Sequence, residues 1–138
     1  MTKILCAIDD AGHSAKAIDV GVALAKALNA ELTFIAVNQL VGGYGGGGVP
    51  ALHWTQEQES AVLARALAQA RETGVASVDT IAFERRDPAR QITSYAEENG
   101  YDHIVVGTGG KGSMLRMMLG SVSRDVADRA HCPVTIAR

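Results

Sequence analysis

The stretch VVGTGGKGSMLRMMLGSVSRDV, from Val105 to Val126, sets Gly107, Gly110 and the pair Gly120-Ser121 after an apolar run and before a helical pattern. Backbone N–H groups can converge on an anion only where no Cβ blocks the approach and the chain can reach positive φ, and glycine provides both. A helix starting at Ser121 would add unsatisfied N–H groups, about half a positive charge and a hydroxyl. Two anion-binding nests joined by one loop suit a polyphosphate better than a single phosphate. An acidic counterpart stands after the first apolar run, where KILCAIDDAG places Asp9 and Asp10 at a strand end. In open parallel sheets ligands sit beyond the C-terminal strand ends. An acid on one central strand and a glycine loop on another could therefore take a ribose and phosphates side by side.

Two familiar phosphate fingerprints fail. GTGGKG formally satisfies G-x-G-x-x-G, but a dinucleotide site needs an acid about 20 residues on at the end of the next strand. Here the next acids, Asp125 and Asp128, lie within a helical pattern. The G-x-x-x-x-G-K-[ST] loop is absent, since Lys111 is followed by Gly112. What the chain does carry is Gly107, two residues, Gly110, nine residues, Gly120, then Ser121. This G-x2-G-x9-G-[ST] spacing resembles that of the ATP-binding universal stress proteins, as do the opening KILCAIDDAGHSAKAI and the closing LGSVSRDVADRAHCPVTIAR.

The resemblance implies a Rossmann-like α/β sandwich of the adenine nucleotide alpha-hydrolase type and an ATP, AMP or cyclic AMP ligand, with or without Mg²⁺. It further implies that Asp9 lies near the ribose, that the Val37 backbone meets the adenine, and that Val106 lines the base pocket. Gly107, Gly110, Gly120 and Ser121 with the Val122 amide would hold the phosphates, with Ser123 as an additional hydroxyl. The residue types support Asp9, Gly110, Gly120 and Ser121 independently; Val37 is, by its own pattern, only a strand residue. Family members commonly pair the last strand across a two-fold axis, which implies a homodimer through Pro133 to Ala137. That strand also stands at a sheet edge whose unpaired groups need cover.

Each of these residues has a plainer reading. Asp9 and Asp10 could cap the following helix, the glycines could only turn the chain, and Lys111 or Arg116 could be solvated rather than paired with phosphate. Met114 to Leu119 would then be a segment packing on the core or on a partner. His13, His53, His103 and His131 lack metal-ligand spacing, and Cys6 reads as a small core residue. No nucleophile with a base and no carboxylate dyad is evident. Binding is expected rather than catalysis. The alternatives are a weak ATPase and a same-fold dimeric interaction protein with an empty or altered site.

The elements that must position these residues follow from alternation of apolar runs with amphipathic segments, the signature of parallel strands joined by helical crossovers. Strands are predicted at Lys3–Asp9, Glu31–Gln39, Ser77–Phe83, His103–Gly107 and Pro133–Ala137, with helices at His13–Leu28, Thr55–Thr73, Asp87–Asn99 and Ser121–Ala130. Thr55 with Gln58 has the capping-box arrangement, Asp87-Pro88 reads as an N-cap followed by the first helical position, and Gly100 as the C-terminal stop. The expected fold is a three-layer sandwich around a five-stranded parallel sheet, in one domain spanning residues 1–138. Only QLVGGYGGGGVPALHW, Gln39 to Trp54, is longer than the usual connection. It reads as a disordered surface loop, or alternatively as a lid or partner-contact loop carrying Tyr44 and Trp54.

The chain has 138 residues, with 13 Lys plus Arg against 15 Asp plus Glu, a net charge of −2. This gives no broad basic field for nucleic acid or an anionic membrane. The two cysteines form neither a disulfide framework nor a zinc cluster. The N-terminal apolar run is shorter than a secretory core, and no segment approaches the ~20 apolar residues of a membrane span. A cytoplasmic protein is expected.

Overall fold

The computed structural model describes residues 1–9, 11–43, 45, 48–108 and 120–138, with backbone only at 11–13. In chain order the elements are β1 (Lys3–Ile8), α1 (Ala11–Leu28), β2 (Glu31–Val41), β3 (Ala51–Leu52), α2 (Gln56–Thr73), β4 (Val78–Arg85), α3 (Pro88–Glu98), β5 (His103–Gly107), α4 (Ser121–Arg129) and β6 (Val134–Ala137). β1 lies between β2 and β5, parallel to both, with Ile8 opposite Ala36 and Ala7 opposite Val106. β4 pairs with the outer side of β2 and β6 with the outer side of β5, again parallel. The continuous apolar run of β1 is thus explained: from Ile4 to Ile8 every residue is buried between two helical layers.

Strand alternation divides the core. Ile4, Cys6 and Ile8 face Ala17, Ile18 and Val22 of α1 and Val62 and Ala66 of α2. Leu5 and Ala7 face Ala89, Ile92 and Ala96 of α3 and Val126 of α4. α1 lies close on β1 because Gly21 carries no side chain: a Cβ there would stand 3.0 Å from Cys6 Sγ. The Cys6 thiol donates to the Ala17 carbonyl at 3.3 Å, and burial pushes its pKa far up, so it is a packing residue.

Helix punctuation follows the sequence closely. Thr55 caps α2 with a reciprocal capping box to Gln58, and Gly74 ends the helix at φ 97°. Asp87 caps α3 through the Arg90 N–H, with Pro88 in the first turn and Gly100 just beyond at φ 70°.

The connection after β2 differs from expectation. β2 runs to Val41 and the chain returns as β3, a sixth strand, antiparallel to it, with Leu40 opposite Leu52. The return is pinned by Asn38, fully buried, whose side-chain Nδ2 donates to Trp54 O at 2.6 Å while its Oδ1 accepts from Trp54 N at 3.1 Å. Trp54 is accordingly a buried core residue, 6% exposed, and not part of a loose lid. Tyr44 lies outside the described residues.

Candidate functional site

Chain order and sheet order reverse between β1 and β5: the crossover through α1 carries the chain to β2 on one side, and α4 carries it to β6 on the other. Two neighbouring strands whose outgoing chains part in this way leave a crevice at their C-terminal ends. A cavity of about 140 Å³ occupies that position. Ala7, Val37 and Val106 of β1, β2 and β5 line it, as do Pro88 and Ile92 of α3 and Val122 of α4. Its polar groups are Asp9, Ser14, Gln39 and His53, and Trp54 completes the wall.

Asp9 follows directly on β1. Its N–H donates to the buried Ser14 hydroxyl at 2.7 Å, and that hydroxyl lies 2.9 Å from both the Asp9 carbonyl oxygen and Oδ1, to one of which it donates. The carboxylate is held at the mouth of the crevice by the first turn of α1.

On the other side, Gly120 is the N-cap of α4, with φ −65° and ψ 163°, and among the described residues no side chain caps it. The Gly120 N–H donates to the Thr108 carbonyl at 3.1 Å, which brings the start of α4 against the end of β5. Only glycine permits this contact, because a Cβ on residue 120 would stand 2.5 Å from the Thr108 oxygen. The helix start, whose first N–H groups have no partner within the helix, is therefore held at the rim that Gly107 and Val122 line.

Of the residues singled out from sequence, Asp9, Val37, Val106, Gly107 and Val122 line one cavity. Gly120 and Ser121 adjoin it through the Thr108 contact and the chain, with Ser121 exposed. Ser123 points elsewhere: it is 2% exposed and donates to the Gly120 carbonyl at 3.0 Å, bracing the helix start. Gly110, Lys111, Arg116 and Met114 to Leu119 lie outside the described residues, as does Asp10. Gln39 stands where the second strand ends toward the crevice, as the chain order suggests, and the sequence offers Trp54 only as part of a lid or partner-contact loop; sequence reading missed Ser14, His53, Pro88 and Ile92. The one available signal was Asn38, a polar residue inside an otherwise apolar strand, which needs a buried partner.

Chemically, the crevice offers an apolar slot open to one carboxylate and to a helix N-terminus. That suits a flat, largely apolar ring carrying hydroxyls and an anionic group. Among the described residues no group of three or more His, Cys, Asp or Glu side chains could hold a metal ion. Nor is any helix among them long and apolar enough to cross a membrane.

Comparison with known proteins agrees with this architecture. The model of the universal stress protein family matches residues 1–138. The universal stress protein YxiE of Bacillus subtilis (strain 168) is 37% identical over 147 aligned residues, covering 99% of this chain and 98% of that protein. A universal stress protein solved in complex with cAMP superposes with a TM-score of 0.73 at 23% identity, covering 99% of this chain and 96% of the other. The universal stress protein of Archaeoglobus fulgidus in complex with dAMP gives 0.72 at 21% identity, covering 100% and 98%. The structural likenesses bear on the fold, and the matches in sequence settle the family: this chain belongs to the universal stress protein family.

Proposed function

We propose that this chain binds an adenine nucleotide in the crevice between β1 and β5 and serves as a regulatory module of the stress response rather than as an enzyme. The observation that carries the reading is the convergence of Asp9, Val37, Val106, Gly107 and Val122 on one cavity beside the start of α4. In this reading the base lies in the apolar slot against Val37 and Val106, and Asp9 receives the ribose hydroxyls. The phosphates meet Gly107, Gly110 and the Gly120-Ser121-Val122 amides, with Ser123 supporting them indirectly. That two similar structures are complexes with cAMP and dAMP supports the same ligand class here. ATP or AMP is the expected nucleotide, with Mg²⁺ accompanying ATP.

A homodimer through β6 belongs to the same proposal. β6 pairs with β5 on one side, and Val134, Thr135 and Ile136 are only half-buried in the single chain. A second copy would cover them; a sharply monomeric light-scattering profile at micromolar concentration would count against this.

Calorimetric titration with ATP, AMP and cyclic AMP, with and without Mg²⁺, tests the function. Saturable heat with at least one of them is expected. No heat and no thermal shift with any would leave the fold as an interaction module and remove the nucleotide reading.

A further inference from the structure

A second cavity, of about 400 Å³, opens between the start of α2 and the C-terminal end of β4, lined by Glu59, Ala82, Phe83, Glu84 and Arg85, none of which lines the crevice. Glu59 is only 9% exposed, and its Oε2 has no hydrogen-bond partner among the described residues. A buried carboxylate oxygen without a donor is costly unless a proton or a cation meets it. Glu84 adds a second carboxylate, fixed in place by Gln56, whose Nε2 donates to Glu84 Oε1 at 3.1 Å. Burial and the Glu84 charge both push the Glu59 carboxyl above its usual range, as expected of two acids sharing one site. Arg85, the guanidinium in the lining, is engaged elsewhere: it donates to the Glu84 carbonyl at 2.8 Å and lies over the Phe83 ring at 5.1 Å.

We propose that Glu59 and Glu84 together hold a hard divalent cation, of the Mg²⁺ or Ca²⁺ class, between α2 and β4, with water completing its shell. One or two carboxylates plus several waters is the usual protein share of a Mg²⁺ site. The cation would supply the charge that neither Arg85 nor the backbone gives, and would tie the first turn of α2 to the end of the edge strand. This site is separate from any cation that accompanies a nucleotide at Asp9.

The test is thermal melting of the nucleotide-free protein with Mg²⁺, Ca²⁺ or Mn²⁺ at constant ionic strength and near-neutral pH. At ten times the cation's Kd, Tm is expected to rise by about 3–6 °C. Glu59→Gln should abolish the rise yet melt in cation-free buffer at or above the wild-type temperature, because the amide removes the uncompensated charge; that result also shows the variant folds. Asp9→Asn should keep the rise. The proposal is overturned if none of the three ions moves Tm, if Glu59→Gln responds like the wild type, or if Asp9→Asn alone loses the response. A wild type stabilised by lowering pH through the carboxylate range and by no cation also overturns it, since a proton then occupies Oε2.

Discussion

Replacing Asn38 by Ala should loosen the wall of the crevice more than any change among its lining residues. Asn38 is fully buried and meets the backbone of Trp54 twice, at 2.6 and 3.1 Å. Alanine leaves a buried N–H and a buried carbonyl without partners, each worth about 1–3 kcal/mol. Part of this is recovered if His53 and Trp54 lift away and hydrate, so the net loss is about 2–4 kcal/mol, or about 10 °C in Tm. Trp54 is the chain's single tryptophan, so its fluorescence reports this event without labelling. The expected result is a red-shifted native emission together with the lower Tm, and weaker nucleotide binding because both His53 and Trp54 line the cavity. A variant that melts within about a degree of wild type with unshifted emission would refute the idea that Asn38 pins the return of the hairpin.

Gly120→Ala should cost about 1–3 kcal/mol, because its Cβ would meet the Thr108 oxygen at 2.5 Å, and should weaken nucleotide binding about tenfold or more; unchanged urea midpoint and affinity would contradict this. For that reason no larger residue at 120 is a clean probe of phosphate binding alone. Ser14→Ala should cost about 1–2 kcal/mol in chemical denaturation by stripping Asp9 of its buried anchor, and a midpoint equal to wild type would contradict it. Asp87 is held below its usual 3.8 by the Arg129 hydrogen bond and by the Arg90 N–H. Its contribution is thus complete above that value and lost as pH falls through the lower folded-state pKa. Asp87→Asn keeps a good N-cap but loses the charge, so the Tm gap to wild type should close in acid; a gap that persists would show that the charge is not its source.

Apart from the short β3, the elements were legible where two signals agreed. α2 shows both the 3.6-residue apolar period at Val62, Leu63, Ala66, Leu67 and Ala70 and the Thr55–Gln58 box; the structure has the box and buries all of these but Leu67, which is half-buried. β1 and β5 were legible as central strands because both faces are covered, so their apolar runs do not alternate. The site was legible only where backbone chemistry chooses the residue type. Gly120 is needed because of its contact with Thr108, and Asp9 follows β1 at the switch point, where it lines the crevice. Ser14, His53 and Trp54 were hidden because their place depends on tertiary pairing. The glycines between Val41 and Val49 signalled slack, whereas the decisive residue, Asn38, sits upstream within β2. Nothing in a single sequence shows that one buried amide will fold the far end of that connection back onto the crevice.

The most direct test of the nucleotide crevice is an amide NMR titration of the intact protein with AMP. The account predicts that the resonances of Asp9, Val37, Gly107 and Val122 shift and saturate together, while Glu31 and Asp102, at the opposite ends of the strands, stay in place. Shifts confined to the Glu31 and Asp102 end, or no shift at Asp9, Val37, Gly107 and Val122 at saturating AMP, would contradict it.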